Sequence, residues 1–155
     1  VRIYGREGNE RKYKWTSRTF VAEHPNLYKY KVFVTGANGN GVLGETLSTP
    51  VIGEPGTGYT QTFISFGAFE NKFDAESLLK YFKTKFLRIM LGTLKITQNN
   101  KTKAVWQNVP LQDFTVDSDI NWSQSIAEID QQLYRKYELS AEEIMFIEEN
   151  VKEMG

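Results

Sequence analysis

Between residues 71 and 98, apolar side chains recur at helical spacing: Ala75, Leu78, Leu79, Phe82, Phe86, Ile89 and Met90. At about 100° per residue they fill one arc, which predicts a long amphipathic helix with a core-facing side. The opposite arc carries Ser77, Lys80, Tyr81, Thr84, Lys85 and Arg88. Asn71, with Asp74 three residues on, predicts an N-cap and its partner, and Gly92 predicts a stop. The second arc, cationic with hydroxyls mixed in, has two readings: a solvated face, or a surface for phosphate contact.

Elsewhere the period is two. Residues 1–5, 11–21, 27–35, 50–54, 59–66 and 104–108 predict strands, separated by turns such as GREGNE and PGTG. In the first two, the basic residues Arg2, Arg6, Arg11, Lys12, Lys14 and Arg18 alternate with Tyr4, Tyr13, Trp15 and Phe20. That pattern suits a nucleic-acid-binding sheet face and equally a solvent-facing strand pair. Residues 125–137 and 140–154 predict two helices, each opened by a capping box, Ser125 with Glu128 and Ser140 with Glu143. Leu139 between them makes a short hairpin. The expected class is α+β: a mixed, mostly antiparallel sheet, one long central helix and a C-terminal helical hairpin. Residues 1–116 are expected as the core and 117–155 as a helical extension packed on it.

The chain has 155 residues, 40% hydrophobic and 25% charged, enough for one globular core. The formal net charge of zero conceals a split. Residues 1–103 hold 16 Lys+Arg against 8 Asp+Glu, net +8; residues 104–155 hold 3 against 11, net −8. The first part suits a polyanionic partner, unless the two parts neutralise each other within the fold. No apolar run reaches membrane-spanning length. The chain, beginning at Val1, reads as a piece of a longer, cytoplasmic protein.

Catalytic patterns are constrained by what is missing. There is no cysteine and one histidine, His24, which excludes thiolate and paired-histidine metal sites. The glycine-rich stretch 36–45 lacks the Gly-Lys-Ser/Thr ending of a phosphate-cradling loop. It reads as a plain turn or as a loop carrying Asn38 and Asn40 into a DNA groove. Glu10-Arg11-Lys12 has nuclease-like Glu-x-Lys spacing, but no Asp precedes it. Asp113, Asp117 and Asp119 lie close together without a calcium-loop pattern. By itself the chain reads as non-catalytic, with no cofactor or metal of its own.

An ordered set of segments carries a resemblance. It comprises strand 30–35, the glycine loop, strand 62–66 and the helical run Tyr81-Phe82-Lys83-Thr84-Lys85-Phe86-Leu87-Arg88. Thr97-Gln98, Val109-Pro110-Leu111-Gln112-Asp113-Phe114, Leu133-Tyr134-Arg135-Lys136-Tyr137 and residues 144–148 follow. Together they resemble the C-terminal target-recognition domain of adenine-specific DNA methyltransferases of restriction–modification systems, most of all the combined methylase–endonuclease type. The specificity subunits of type I restriction enzymes are a more distant likeness.

The resemblance spans roughly residues 26–154 and implies double-stranded DNA as partner. Lys80, Lys83, Lys85, Arg88 and Lys95 would meet phosphates, and Gln98, Asn99, Asn100, Asn38 and Asn40 would meet base edges, with Lys101 in the same basic loop. The resemblance implies an upstream methyltransferase domain of the same polypeptide in a bacterial cytoplasm, with S-adenosylmethionine, and Mg2+ where it also cleaves, as cofactors of the parent protein. The alternative is a structural or protein-interaction module without DNA contact.

Overall fold

The structure, a computed structural model, describes residues 1–36, 48–94, 106–107 and 109–154; of 93 and 94 it describes the backbone alone. Among these the elements run β1 (Arg2–Glu7), β2 (Glu10–Trp15), a 3-10 turn (Arg18–Phe20), β3 (Tyr30–Thr35), β4 (Val51–Gly53), β5 (Thr57–Tyr59) and β6 (Phe63–Phe69). Four helices follow: α1 (Lys72–Lys83), α2 (Lys85–Leu94), α3 (Ile126–Lys136) and α4 (Ala141–Asn150). The class is α+β, as the two periodicities predict.

The strands form two sheets of three, not one, in the orders β2-β1-β5 and β4-β3-β6. All pairings are antiparallel except β1 with β5. The single strand expected over 59–66 is divided because the chain changes sheet there. Thr60 N–H donates to Tyr4 O at 3.0 Å, closing the first sheet, and Phe63 N–H donates back to Thr60 O at 3.0 Å. The strand expected over 11–21 stops at Trp15, where Thr16 N–H returns to Val1 O at 2.9 Å.

β3 is buried on both sides, and its pleat distributes it between two cores. Val32 and Val34 enter the main core beside Leu78, Phe82, Phe86 and Leu87. Phe33, pointing the other way, joins Tyr4 and Phe63 in a second cluster between the sheets, with its ring stacked on Tyr4 at 5.5 Å. The layers are therefore sheet, sheet, helices. Between residues 31 and 54 lies a buried cation: Lys31 Nζ donates to the carbonyls of Leu27, Lys29 and Glu54 at 2.9, 3.1 and 3.1 Å. Burial lowers its pKa to about 8.

Residues beyond 116 are part of the main core. Ile120, Trp122, Ile129, Leu133, Tyr134, Ile147 and Val151 are all buried in it. Both capping boxes form, at Ser125 with Glu128 and at Ser140 with Glu143. Asn71 caps α1 through Asp74 N–H at 3.0 Å. The long helix expected over 71–98 is two helices, broken at Thr84, which takes an extended conformation with ψ 148°. Helix continues through Gly92 to Leu94, so Gly92 is not the stop. The strand expected over 104–108 lies largely outside the described residues.

Candidate nucleic-acid interface

The helical arc expected to present cations is covered by the chain's own C-terminal third. Ser77, Tyr81, Thr84 and Arg88 are buried. Arg88, 2% exposed, donates from Nε to Thr84 O at 3.2 Å and from Nη2 to Lys83 O and Lys152 O at 3.3 and 2.6 Å. Burial lowers its pKa, opposed by the Asp130 carboxylate. Arg88 is thus a tie between helix and tail, not a cation held out to a partner; a guanidinium with a rigid fork suits several carbonyls at once. Lys80 Nζ donates to Trp122 O and Gln124 O at 2.8 and 2.9 Å. Lys85 Nζ pairs with Glu148 at 2.6 Å. Lys83 is half-buried and lines the same junction. Lys80, Lys85 and Arg88 do not form one free cationic face: acceptors brought in by residues 122–152 occupy all three.

The junction is built around the helix break. Thr84 Oγ1 donates to Tyr81 O at 2.6 Å and accepts Leu87 N–H at 3.1 Å, ending one helix and starting the next. Asp130, from α3, accepts the two preceding N–H groups. Its Oδ2 takes Lys85 N–H at 3.0 Å and its Oδ1 takes Phe86 N–H at 2.9 Å. Burial pushes the Asp130 carboxyl up to about 6, against the pull of those two donors. Burial also pushes Glu148 up, but Lys85 and the Tyr134 hydroxyl outweigh it and hold Glu148 below its ordinary value. A cleft of 290 Å³ lies here, lined by both signs of charge. Of its polar groups, Lys85, Arg88, Asp130 and Glu148 are committed to holding the helices and tail together.

The N-terminal hairpin differs. All six residues of β2 are exposed. Register sets Ile3, Gly5 and Glu7 beside Lys14, Lys12 and Glu10 on one face, and Tyr4 beside Tyr13 on the other. On the tyrosine face only Tyr4 is buried: the Tyr4 and Tyr13 rings lie 4.8 Å apart, Arg2 sits over the exposed Tyr13 at 4.8 Å, and Arg11 is tied to Thr49 O and Ser48 Oγ at 2.8 and 3.0 Å. The outer face holds a hollow of 160 Å³ lined by Ile3, Gly5, Arg6, Glu7, Lys12, Lys14 and Thr60. Register sets Arg6 with Arg11 on the opposite face, so the charges on the side chains facing the hollow are Lys12, Lys14 and the Glu7 carboxylate.

Glu7 holds Lys14 at 2.6 Å and Lys12 at 3.3 Å, and those ammonium groups lower its pKa. Arg6 reaches only Asn9, at 3.5 Å. Thr60 closes the floor because Gly5 has no side chain: a Cβ there would stand 2.9 Å from Thr60 Cγ2. The Thr60 hydroxyl is buried and has no hydrogen-bond partner among the described residues. Trp15 and Phe20 nearby in the chain are 80% and 83% exposed. The alternation of cations and aromatics pointed to this hairpin; Thr60, 46 or more residues away in sequence, carried no signal.

Lys95, Gln98, Asn99, Asn100, Lys101, Asn38 and Asn40 lie outside the described residues. Among the described residues no group of three or more metal-ligating side chains is disposed to hold an ion. Asp113 accepts Thr115 N–H at 2.9 Å, Asp119 pairs with Lys136 at 2.9 Å, and Glu10 of the Glu-x-Lys triplet pairs with Lys12 at 2.8 Å. No helix among the described residues is long and apolar enough to cross a membrane. No family model, curated protein or solved structure matches the chain.

Proposed function

We propose that this chain reads double-stranded DNA for a restriction–modification enzyme, placing the duplex for adenine N6 methylation by a domain elsewhere in the same polypeptide. S-adenosylmethionine would serve that domain, with Mg2+ added where the parent cleaves. The ordered resemblance supports the reading, and the outer face of the β1–β2 hairpin is the observation that carries it.

A two-stranded ribbon fits the major groove. Lys12 and Lys14 meet phosphates there and fix register, with Glu7 releasing its lysines to the stronger anion field. Asn38, Asn40, Gln98, Asn99 and Asn100 remain the proposed base readers, since amide side chains pair bidentately with adenine. Arg88, Lys80 and Lys85 are left to structure. The test is fluorescence anisotropy with duplex DNA across a salt series. Phosphate reading gives an inverse slope of about 0.9 per contact, and a flat slope overturns the proposal.

One observation favours a second reading, a protein-interaction module. The acidic C-terminal third already occupies the cations of α1 and α2 through Glu148 and the Trp122, Gln124 and Lys152 carbonyls. On that reading light scattering shows salt-insensitive oligomers, and no DNA affinity is found.

A further inference from the structure

A third cavity, of 540 Å³, opens between β6, α1 and the segment 109–115. That volume falls in the range of small-molecule sites. Four half-buried rings, Phe66, Phe69, Trp106 and Phe114, line it. Phe66 and Trp106 lie 4.6 Å apart at 54°, and Phe69 and Phe114 lie 6.2 Å apart, edge to face. Gly67 takes φ +84°, and a Cβ there would fall 2.2 Å from the Phe69 ring, so the glycine is what lets that ring fold over the strand. Two carboxylates, Asp74 and Asp113, complete the lining, and no Lys, Arg or His is among the described residues that form it. The polar groups within are already paired: Tyr81 Oη donates to Pro110 O at 2.7 Å, and Gln112 Nε2 donates to Tyr137 Oη at 2.6 Å.

We infer that this cavity binds a small organic cation, of the quaternary or methylated ammonium class. Ring faces carry negative potential and attract a diffuse, weakly hydrated positive charge, and the two carboxylates supply the complementary field. A neutral apolar ligand would gain from the rings but not from the carboxylates. An anion would meet Asp74 and Asp113 with no cation among the described lining residues, and Lys136 behind Gln112 is committed to Gln112 Oε1 and Asp119. The inference is independent of DNA reading, because it uses neither the hairpin nor its cations.

The experiment compares choline with its uncharged carbon isostere, 3,3-dimethylbutan-1-ol, by calorimetric titration of the whole chain. Choline is expected to bind at least about tenfold more tightly. The variant Asp74→Asn with Asp113→Asn keeps the acceptor oxygens and removes the charge. It should weaken choline several-fold and leave the alcohol unchanged, with an unchanged circular-dichroism spectrum at the titration temperature as the check on folding. Phe114→Leu should weaken choline while keeping an apolar wall. Equal binding of the two probes, absence of saturable choline binding, or choline binding indifferent to the loss of both carboxylates each overturns the inference.

Discussion

Asp130 caps a helix to which it does not belong: its Oδ1 accepts the backbone N–H of Phe86 at 2.9 Å, across 44 residues of sequence. With Oδ2 on Lys85 N–H and Thr84 Oγ1 on Leu87 N–H, three donors at the start of α2 are satisfied, though its first turn holds no acidic residue of its own. Replacement by Ala should cost about 1–3 kcal/mol, because it strands buried donors. Chemical denaturation of wild type and Asp130→Ala measures it.

The same carboxyl makes a signed pH prediction. Its folded pKa, about 6, lies above the ordinary 3.8, so the folded state binds the extra proton between those values. Its contribution to stability is therefore full below the lower value and declines as pH rises through the upper one. The advantage of wild type over Asp130→Asn should shrink from about pH 4 to about pH 7, by roughly 2–3 kcal/mol at most. An advantage that grows over that range would show that the two N–H donors outweigh burial.

Arg88 is predicted to matter for folding and not for binding. Arg88→Ala leaves the carbonyls of Lys83, Thr84 and Lys152 without this donor, at about 1–3 kcal/mol for each that stays buried and unpaired. Arg88→Lys should recover little, since one ammonium cannot reproduce the fork. Thermal melts rank the three proteins, and a Lys variant as stable as wild type would refute the tie.

Lys31→Met should lose about 1–3 kcal/mol by releasing the Leu27, Lys29 and Glu54 carbonyls. Lys31 also has a depressed folded pKa, about 8 against 10.5, so the unfolded chain binds more protons between them. Stability from this site should therefore rise with pH across that window, and Lys31→Met should abolish the rise. Urea midpoints at several alkaline pH values read both effects.

On the hairpin, Lys12→Gln with Lys14→Gln should lower the DNA salt slope by about two and leave thermal stability nearly unchanged, because exposed ion pairs contribute little. Thr60→Val replaces a buried, partnerless hydroxyl with a methyl group of similar shape. It should stabilise the fold by about 1 kcal/mol. Melting curves and anisotropy on the same samples separate the two outcomes.

The parts legible in sequence are those whose cause lies within one turn of chain. Asn71 with Asp74, Ser125 with Glu128 and Ser140 with Glu143 form the caps their spacing predicts, because both partners sit three residues apart. Alternation found β3 and the hairpin but not their bounds: β3 starts at Tyr30 rather than 27, β1 runs on to Glu7, and β2 ends at Trp15 rather than 21. The break at Thr84 was invisible because apolar spacing runs through it unbroken from Phe82 to Phe86. Charge was legible and its use was not: Lys80, Lys85 and Arg88 look like one free stripe until Gln124, Glu148 and Lys152 are brought beside them.

Residue order alone determined that this chain has helices and strands, where most of them start, and that its two ends carry opposite charge, since those follow from local period and composition. Tertiary structure alone decided which cations remain available. Long side chains pair with whatever acceptor folding brings within reach, and such acceptors stand 42 to 64 residues from Lys80, Lys85 and Arg88. The same assembly left the outer face of β2 uncovered and set four distant rings around one cavity.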